Sequence, residues 1–274
     1  MKKSFIWILG VIITLTAAIY QRKTGPTYPK EIEVTINNEQ IEFELLRSHG
    51  GNEDATIILP IEDENISGQI HYRRFPTGDP WKIKKFTRKG DSLIASLPHQ
   101  PPAGKIEYYI TLFSNGNSYQ ISEQYPTRIR FKGAVPDWVL IPHVLIMFLA
   151  MLFSNVSGLF AAWNYPKQRM YGIITLILLA VGGMTLGPIM QHYAFGEAWT
   201  GIPVGWDLTD NKTLIAFVAW IIAVIANYKK QRPYFTVAAA IILLIIYSIP
   251  HSLMGSEFNY ETGEVITGAI LFFM

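Results

Sequence analysis

The stretch DWVLIPHVLIMFLAMLFSNVSGLFAAW, Asp137 to Trp163, divides this chain in two. Before it, apolar residues alternate with polar ones in short runs; from it onward they come in long blocks. A helix rises about 1.5 Å per residue, so about 20 such residues reach across a hydrocarbon core about 30 Å thick. The same reading gives spans at Trp138 to Trp163, Tyr171 to His192, Leu214 to Tyr228 and Tyr234 to Ile249. An earlier apolar segment, Phe5 to Tyr20, is bracketed by Lys2-Lys3 and Gln21-Arg22-Lys23. It reads as an N-terminal membrane anchor or as a signal peptide, residues 1–23 in all, with Thr16-Ala17-Ala18 as the small-residue cleavage site in the second case.

Composition agrees with a mixed chain. Of 274 residues, 50% are hydrophobic and only 16% charged, which is apolar for a soluble domain and polar for a protein made of spans alone. The net charge is +2, with basic residues in scattered short clusters, so no extended basic face invites nucleic acid. With no cysteine, disulfides, thiolate catalysis, iron–sulfur clusters and cysteine zinc sites are excluded. Any metal must be held by nitrogen and oxygen.

Residues 30–132 follow a period of two. Strands are expected at Glu31 to Ile36, Ile41 to Leu46, Thr56 to Ile61, Gln69 to Phe75, Trp81 to Phe86, Ser92 to Leu97, Ile106 to Phe113, Tyr119 to Ser122 and Arg128 to Phe131. Asn37-Asn38, Lys89-Gly90-Asp91 and Asn115-Gly116-Asn117 supply hairpin turns. So many short strands in about 100 residues predict an antiparallel β-sandwich. The run PAGKIEYYITLFSNGNSYQIS, Pro102 to Ser122, resembles the late strand pair of immunoglobulin-like and fibronectin-III-like modules, with Tyr108 or Tyr109 where such folds often carry a corner tyrosine. The resemblance covers residues 30–132 and implies a fold, not a ligand.

Orientation follows from charge. The N-terminus, the turn with Lys167 and Arg169, and the turn with Lys229, Lys230 and Arg232 are basic, whereas the other connections carry Glu197, Asp207, Asp210, Glu257, Glu261 and Glu264. By the positive-inside rule the basic turns are cytoplasmic. The expected architecture is therefore an integral membrane α-helical bundle of four spans plus the N-terminal anchor or signal, bearing an extracytoplasmic all-β immunoglobulin-like sandwich. The membrane domain, 138–274, would carry a structured outer loop, 193–213, and a C-terminal tail, 252–274, whose apolar end from Ile266 is too short to span. This places the chain in the cell's inner (plasma) membrane, multi-pass, with sandwich, outer loop and C-terminus extracytoplasmic.

Small residues suggest how the spans pack. Gly183 and Gly187, with Gly182 beside them, and Ser154 with Gly158 on the preceding span would bring these two helices together as a close antiparallel pair. Asn155, near mid-depth, should face the bundle and bond across it.

Of six histidines, His143, His192 and His251 fall at helix ends on the expected outer face, two of them in Ile-Pro-His steps. Three imidazoles there could hold zinc, copper or iron, with Asp207 the likeliest acid and Asp210 or Glu197 as oxygen ligand or orienter. His143 and His192 could alternatively be axial ligands of haem b. Each could equally be a separate interfacial residue.

In the loop, Trp199 and Trp206 read as interfacial aromatics, Gly196, Gly201, Gly205 and Pro203 as a compact turn, and Thr209 or Asp210 as the cap of the next helix. Lys212 is a cation that an acid could pair. A quinone headgroup pocket would suit these residue types, and a serine hydrolase using Ser252 or Ser256 lacks the expected elbow motif. The functional expectation is a redox or metal-handling centre at the outer face. The alternative is a non-catalytic envelope scaffold or assembly factor whose β domain binds a protein or glycan partner.

Overall fold

The computed structural model describes residues 3–250 and 255–266. His251, Ser252 and the apolar end beyond Ile266 lie outside them. Two compact units emerge: helices with residues 135–255 and the N-terminal segment, and strands with residues 27–134 joined by 256–266.

In the helical unit, α1 (Lys3–Lys23), α2 (Asp137–Ala162), α3 (Gln168–Leu178), α4 (Gly187–Phe195), α5 (Leu208–Ala226) and α6 (Pro233–Ser248) follow in order, with a π-helical segment, Leu179–Leu186, joining α3 to α4. Among the described residues four helices are long and apolar enough to cross a membrane: α1, α2, the continuous 28-residue run Gln168–Phe195, and α5. α6, with 16 residues, is about 24 Å long and falls short of that length.

α2 is the hub, packing on α1, α3 and α6. Its approach to α6 is set by Gly158, where a Cβ would stand 2.5 Å from that of Ala240. Gly158 therefore serves the α6 contact and not the expected pairing with the glycines of the next span. Gly182 and Gly183 do make close contacts, on Ile146 of α2 and Thr213 of α5 respectively. Asn155 bonds across the bundle as expected: its Nδ2 donates to Thr14 Oγ1 of α1 at 2.9 Å, and that hydroxyl donates to the Gly10 carbonyl at 2.8 Å. An amide left unpaired in this apolar packing would be costly, so the polar chain fixes the rotation of α1 on α2.

The span expected as one helix from Tyr171 to His192 is interrupted by the π segment. Pro188 has no N–H to return to the preceding turn, and Thr185 Oγ1 bonds the carbonyl five residues back, Ala180, at 3.0 Å. Gly196 ends α4 in the left-handed region at φ 87°, its N–H on the His192 carbonyl.

The strand unit contains β1 (Lys30–Ile36), β2 (Glu39–Leu45), β3 (Ser48–Gly50), β4 (Ala55–Leu59), β5 (Ser67–Phe75), β6 (Lys82–Lys85), β7 (Thr87–Lys89), β8 (Ser92–Leu97), β9 (Lys105–Ser114), β10 (Asn117–Ile121), β11 (Thr127–Lys132), β12 (Glu257–Phe258) and β13 (Val265–Ile266). One sheet runs β3-β11-β9-β5-β6, with β10 also on β9; β4-β8-β7 form a second, and β1-β2 and β12-β13 are hairpins. All pairings are antiparallel except β3 with β11. Asn37, Asn38, Asn115 and Gly116 take positive φ, as tight hairpins require.

Inward residues of these sheets merge in one core that includes Ile36, Leu45, Ile57, Leu97, Ile110 and Phe131. Tyr108 is fully buried in it, its hydroxyl donating to the Leu46 carbonyl at 2.9 Å. Four of the described strands lie outside the sequence expectation: β3 and β7, with three residues each, and β12 and β13, with two each, are too short to leave a readable alternation.

Residues 256–266, part of the tail expected with the membrane domain, join the strands. Lys105 Nζ bonds Glu257, Arg130 donates to the Ser256 carbonyl, and Phe258 N–H reaches the Ala103 carbonyl. Tyr260 anchors the hairpin: its oxygen accepts the Lys105 N–H at 3.1 Å and lies 3.0 Å from both Gln100 Oε1 and the Lys105 carbonyl. Burial raises the Tyr260 pKa from the ordinary 10.0 to about 12. A phenol whose folded pKa is raised lends stability that is complete below its unfolded pKa and is lost as pH climbs through the folded one. The phenol's share of the hairpin's stability should therefore be lost between about pH 10 and 12, over and above any loss of the Lys105–Glu257 pair, whose lysine burial holds below its ordinary 10.5, and Tyr260→Phe should abolish the phenol's share alone. Amide hydrogen exchange of residues 257–266 across this range, corrected for intrinsic rates, measures it; identical protection profiles in both proteins would refute it.

Candidate functional site

At the α4–α5 end of the helical unit, the loop after Gly196 is held by side chains of α5. Asp207 caps that helix, its Oδ1 accepting the N–H of Thr209 at 2.8 Å and of Asp210 at 3.4 Å. The cap expected at Thr209 or Asp210 is thus Asp207. The acid must precede the first turn for its oxygen to meet N–H groups two and three residues on, and α5 starts at Leu208, earlier than the apolar run suggests.

Asp210, one turn inside, looks back at the loop. Its Oδ2 accepts the Thr200 N–H at 2.6 Å and the Thr200 hydroxyl at 3.2 Å, and Gln191 Nε2 of α4 donates to that hydroxyl at 2.7 Å. Asn211 Oδ1 takes the Ile202 N–H at 2.8 Å, and Trp199 Nε1 donates to the Ile202 carbonyl at 3.1 Å. Gly201 fits because a Cβ there would stand 2.6 Å from that of Asp210. Lys212 Nζ donates to the Ile249 carbonyl at 2.9 Å, a cation at the C-terminal end of α6, where the helix dipole favours one.

The expected ligands are distributed unevenly. His143, half-buried, has its Nδ1 2.9 Å from the Gly182 carbonyl in the π segment. His192 and Glu197 are exposed, Trp206 is 67% exposed, and Asp207 and Asp210 are buried in the loop network. Trp199 is half-buried and bonded within the loop. Among the described residues no three His, Asp or Glu side chains form a group that could hold a metal ion. His251 lies outside those residues.

A second candidate surface stands on the strand unit. Along β9 the even residues enter the core, and the odd ones share the opposite face with partners from β5 and β11: Tyr109 is registered with His71, and Glu107 with Arg73 and Arg128. His71 and Tyr109 stack at 4.4 Å and 7°, and Trp81 meets Tyr109 edge-on at 4.9 Å. Arg73 lies 4.5 Å over Trp81 and bonds Glu107 at 2.6 Å, while Arg128 lies 3.8 Å over Phe75.

Burial lowers the His71 pKa, which keeps the stacked ring neutral, and raises that of Tyr109. The signal for this face was present in the outward phase of HYRRF and KIEYYIT, but strand alternation is ordinarily read for its inward phase. Comparison with family models finds no match for this chain, and comparison with curated proteins finds no significant relative.

Removing Asp210 strands a buried N–H, whereas removing Asp207 costs a solvent-replaceable cap and its attraction to the Lys212 cation. Asp210→Ala should destabilise the helical unit by about 1–3 kcal/mol and Asp207→Ala by about 1 kcal/mol. Thermal unfolding in detergent ranks them; Asp207→Ala at least as damaging as Asp210→Ala would contradict the loop-holding role.

Proposed function

We propose that this chain is a multi-pass protein of the inner (plasma) membrane that acts without catalysis, its extracytoplasmic β-sandwich capturing a protein partner as an envelope scaffold or assembly factor. The observation that carries this reading is the Trp81, Tyr109, His71 and Arg73 array on the outward face of the large sheet. Trp, Tyr and Arg are the residues that dominate binding energy at protein interfaces, and here neighbours already hold them in fixed rotamers, which reduces the ordering cost of association. Lys85 on β6 and Arg128 on β11 share that face, and their charge favours an acidic partner surface. The bonding of Asp207, Asp210 and Lys212 within their own unit also supports the scaffold reading, because it assigns structural work to three polar residues of the outer end.

One observation favours the other reading, a histidine-ligated metal or haem b centre. An Nδ1–H given to the Gly182 carbonyl would leave Nε2 of His143 as the lone-pair nitrogen, the arrangement that carbonyl partners impose on metal-bound histidines. His192 and His251 would then supply further nitrogens.

A photo-crosslinking residue at position 81 in the full chain, expressed in its own cells, should yield a discrete adduct that Tyr109→Ala and Arg73→Ala each reduce by about tenfold. The same residue at the exposed Ile58, on the second sheet, should give none. Equal adducts from both positions would refute the proposed face. Stoichiometric metal or a Soret band in the purified protein, lost in His143→Ala, would replace the scaffold reading with the second one.

A further inference from the structure

Where the helical unit meets its two basic turns, α3, α5 and α6 enclose a cavity of about 30 Å³ lined by Gln168, Arg169, Trp220, Asn227, Tyr228 and Thr236 among others. That is more than the roughly 10–15 Å³ one water needs. Its walls carry polar groups that the protein leaves unused. Gln168 is 1% exposed and neither its Nε2 nor its Oε1 has a partner; Trp220 is fully buried and its Nε1–H has none.

Buried donors of this kind are nearly always paired, at a cost when they are not. Neither residue is there by loose packing. Ser157 Oγ holds the Gln168 carbonyl at 2.8 Å, and Gly172 lets the indole lie against α3, since a Cβ there would be 3.0 Å from Trp220 Cζ3.

The neighbouring polar groups are already engaged. Asn227 Nδ2 donates to the Ala223 carbonyl and to Thr236 Oγ1, while its Oδ1 takes the Arg232 N–H. What remains is an indole N–H and a primary amide; Arg169, half-buried beside them, gives one N–H to the Tyr228 carbonyl at 2.6 Å and keeps its charge at the rim, with Lys167, Lys229, Lys230 and Arg232 in the adjoining turns. Residues 164–173 and 220–236 contain no acid. A donor-rich recess with a cationic rim selects an anionic oxygen, and basic recesses between apolar helices suit phosphate headgroups.

We propose that this recess binds the phosphate of an anionic phospholipid, one oxygen accepting from Trp220 Nε1 and Gln168 Nε2 and Arg169 neutralising the charge from the rim. The inference rests on the helices lying in a bilayer with this end at headgroup level, and is independent of the partner-binding face. The test is titration of the full-length protein in detergent with phosphatidylglycerol, with phosphatidylcholine of the same acyl chains, and with inorganic phosphate, read by native mass spectrometry. Phosphatidylglycerol should bind at least about tenfold more tightly than phosphatidylcholine, and Trp220→Phe and Gln168→Met should each remove most of that preference.

Arg169→Gln, at the rim, gives the same readout should a buried variant fail to fold. Equal affinity for the two lipids, or a preference unchanged in all three variants, would overturn the proposal, and inorganic phosphate displacing the lipid at equal concentration would assign the recess to free phosphate instead. Protein that stays monodisperse without detergent would refute the bilayer reading itself, a different result from indifference to headgroup.

Discussion

A polar group carried into an apolar helix bundle has to find its partner within the chain, and much of the helical unit follows from that constraint. Asn155 reaches Thr14, and Thr14 reaches a carbonyl of its own helix, which fixes α1 on α2. His143 takes the Gly182 carbonyl in the π segment, and Lys212 takes the last carbonyl region of α6. Asp210 gathers the Thr200 turn and Asn211 the Ile202 N–H, so a loop rich in glycine and tryptophan is held by two neighbouring side chains of α5. The Ser154 hydroxyl, the Gln168 amide and the Trp220 indole N–H lack such partners, and beside the last two the chain leaves room for something else.

The strand unit obeys the same rule with a different outcome. Its core is mainly apolar, with the Tyr108 hydroxyl paired to the Leu46 carbonyl and Ser114 to Asn37, so one face of the large sheet supplies stability and the other is open to function. On that outer face the β12–β13 hairpin covers the Lys105 and Arg130 end, and the Trp81, Tyr109, His71 and Arg73 array stands beyond it. Stacked rings and a ring-bound guanidinium lose little freedom when a partner arrives, which is why such an array is better suited to recognition than isolated exposed aromatics.

Much of this was legible in the residues. Alternation locates nine of the thirteen described strands, the asparagine and glycine turns fall where the hairpins turn, and Asn155 bonds across the bundle as its depth in the apolar run implies. Other features depend on tertiary partners that no local pattern encodes. Gly158 was assigned to the wrong neighbour because a small residue announces a close approach without naming the helix that makes it. The cap of α5 was placed two or three residues late because the apolar run begins after the helix does.

The π segment was missed because its glycines and the proline beyond it fit an ordinary kinked span equally well, and residues 256–266 were read with the helices because sequence adjacency was all that linked them. For the histidines, the sequence gives depth and not direction: it marked His143 without indicating that Gly182 holds its Nδ1.

All of the functional reading stands on the helices crossing a bilayer with their basic turns on one side. The absence of cysteine makes that directly measurable, since each introduced thiol is the only one present. Single cysteines at Lys167, Lys230, Trp206 and Tyr125 would be challenged in intact cells with a membrane-impermeant maleimide. The account predicts labelling at 206 and 125 and protection at 167 and 230 until the membrane is permeabilised. Labelling of 167 or 230 in intact cells would contradict it.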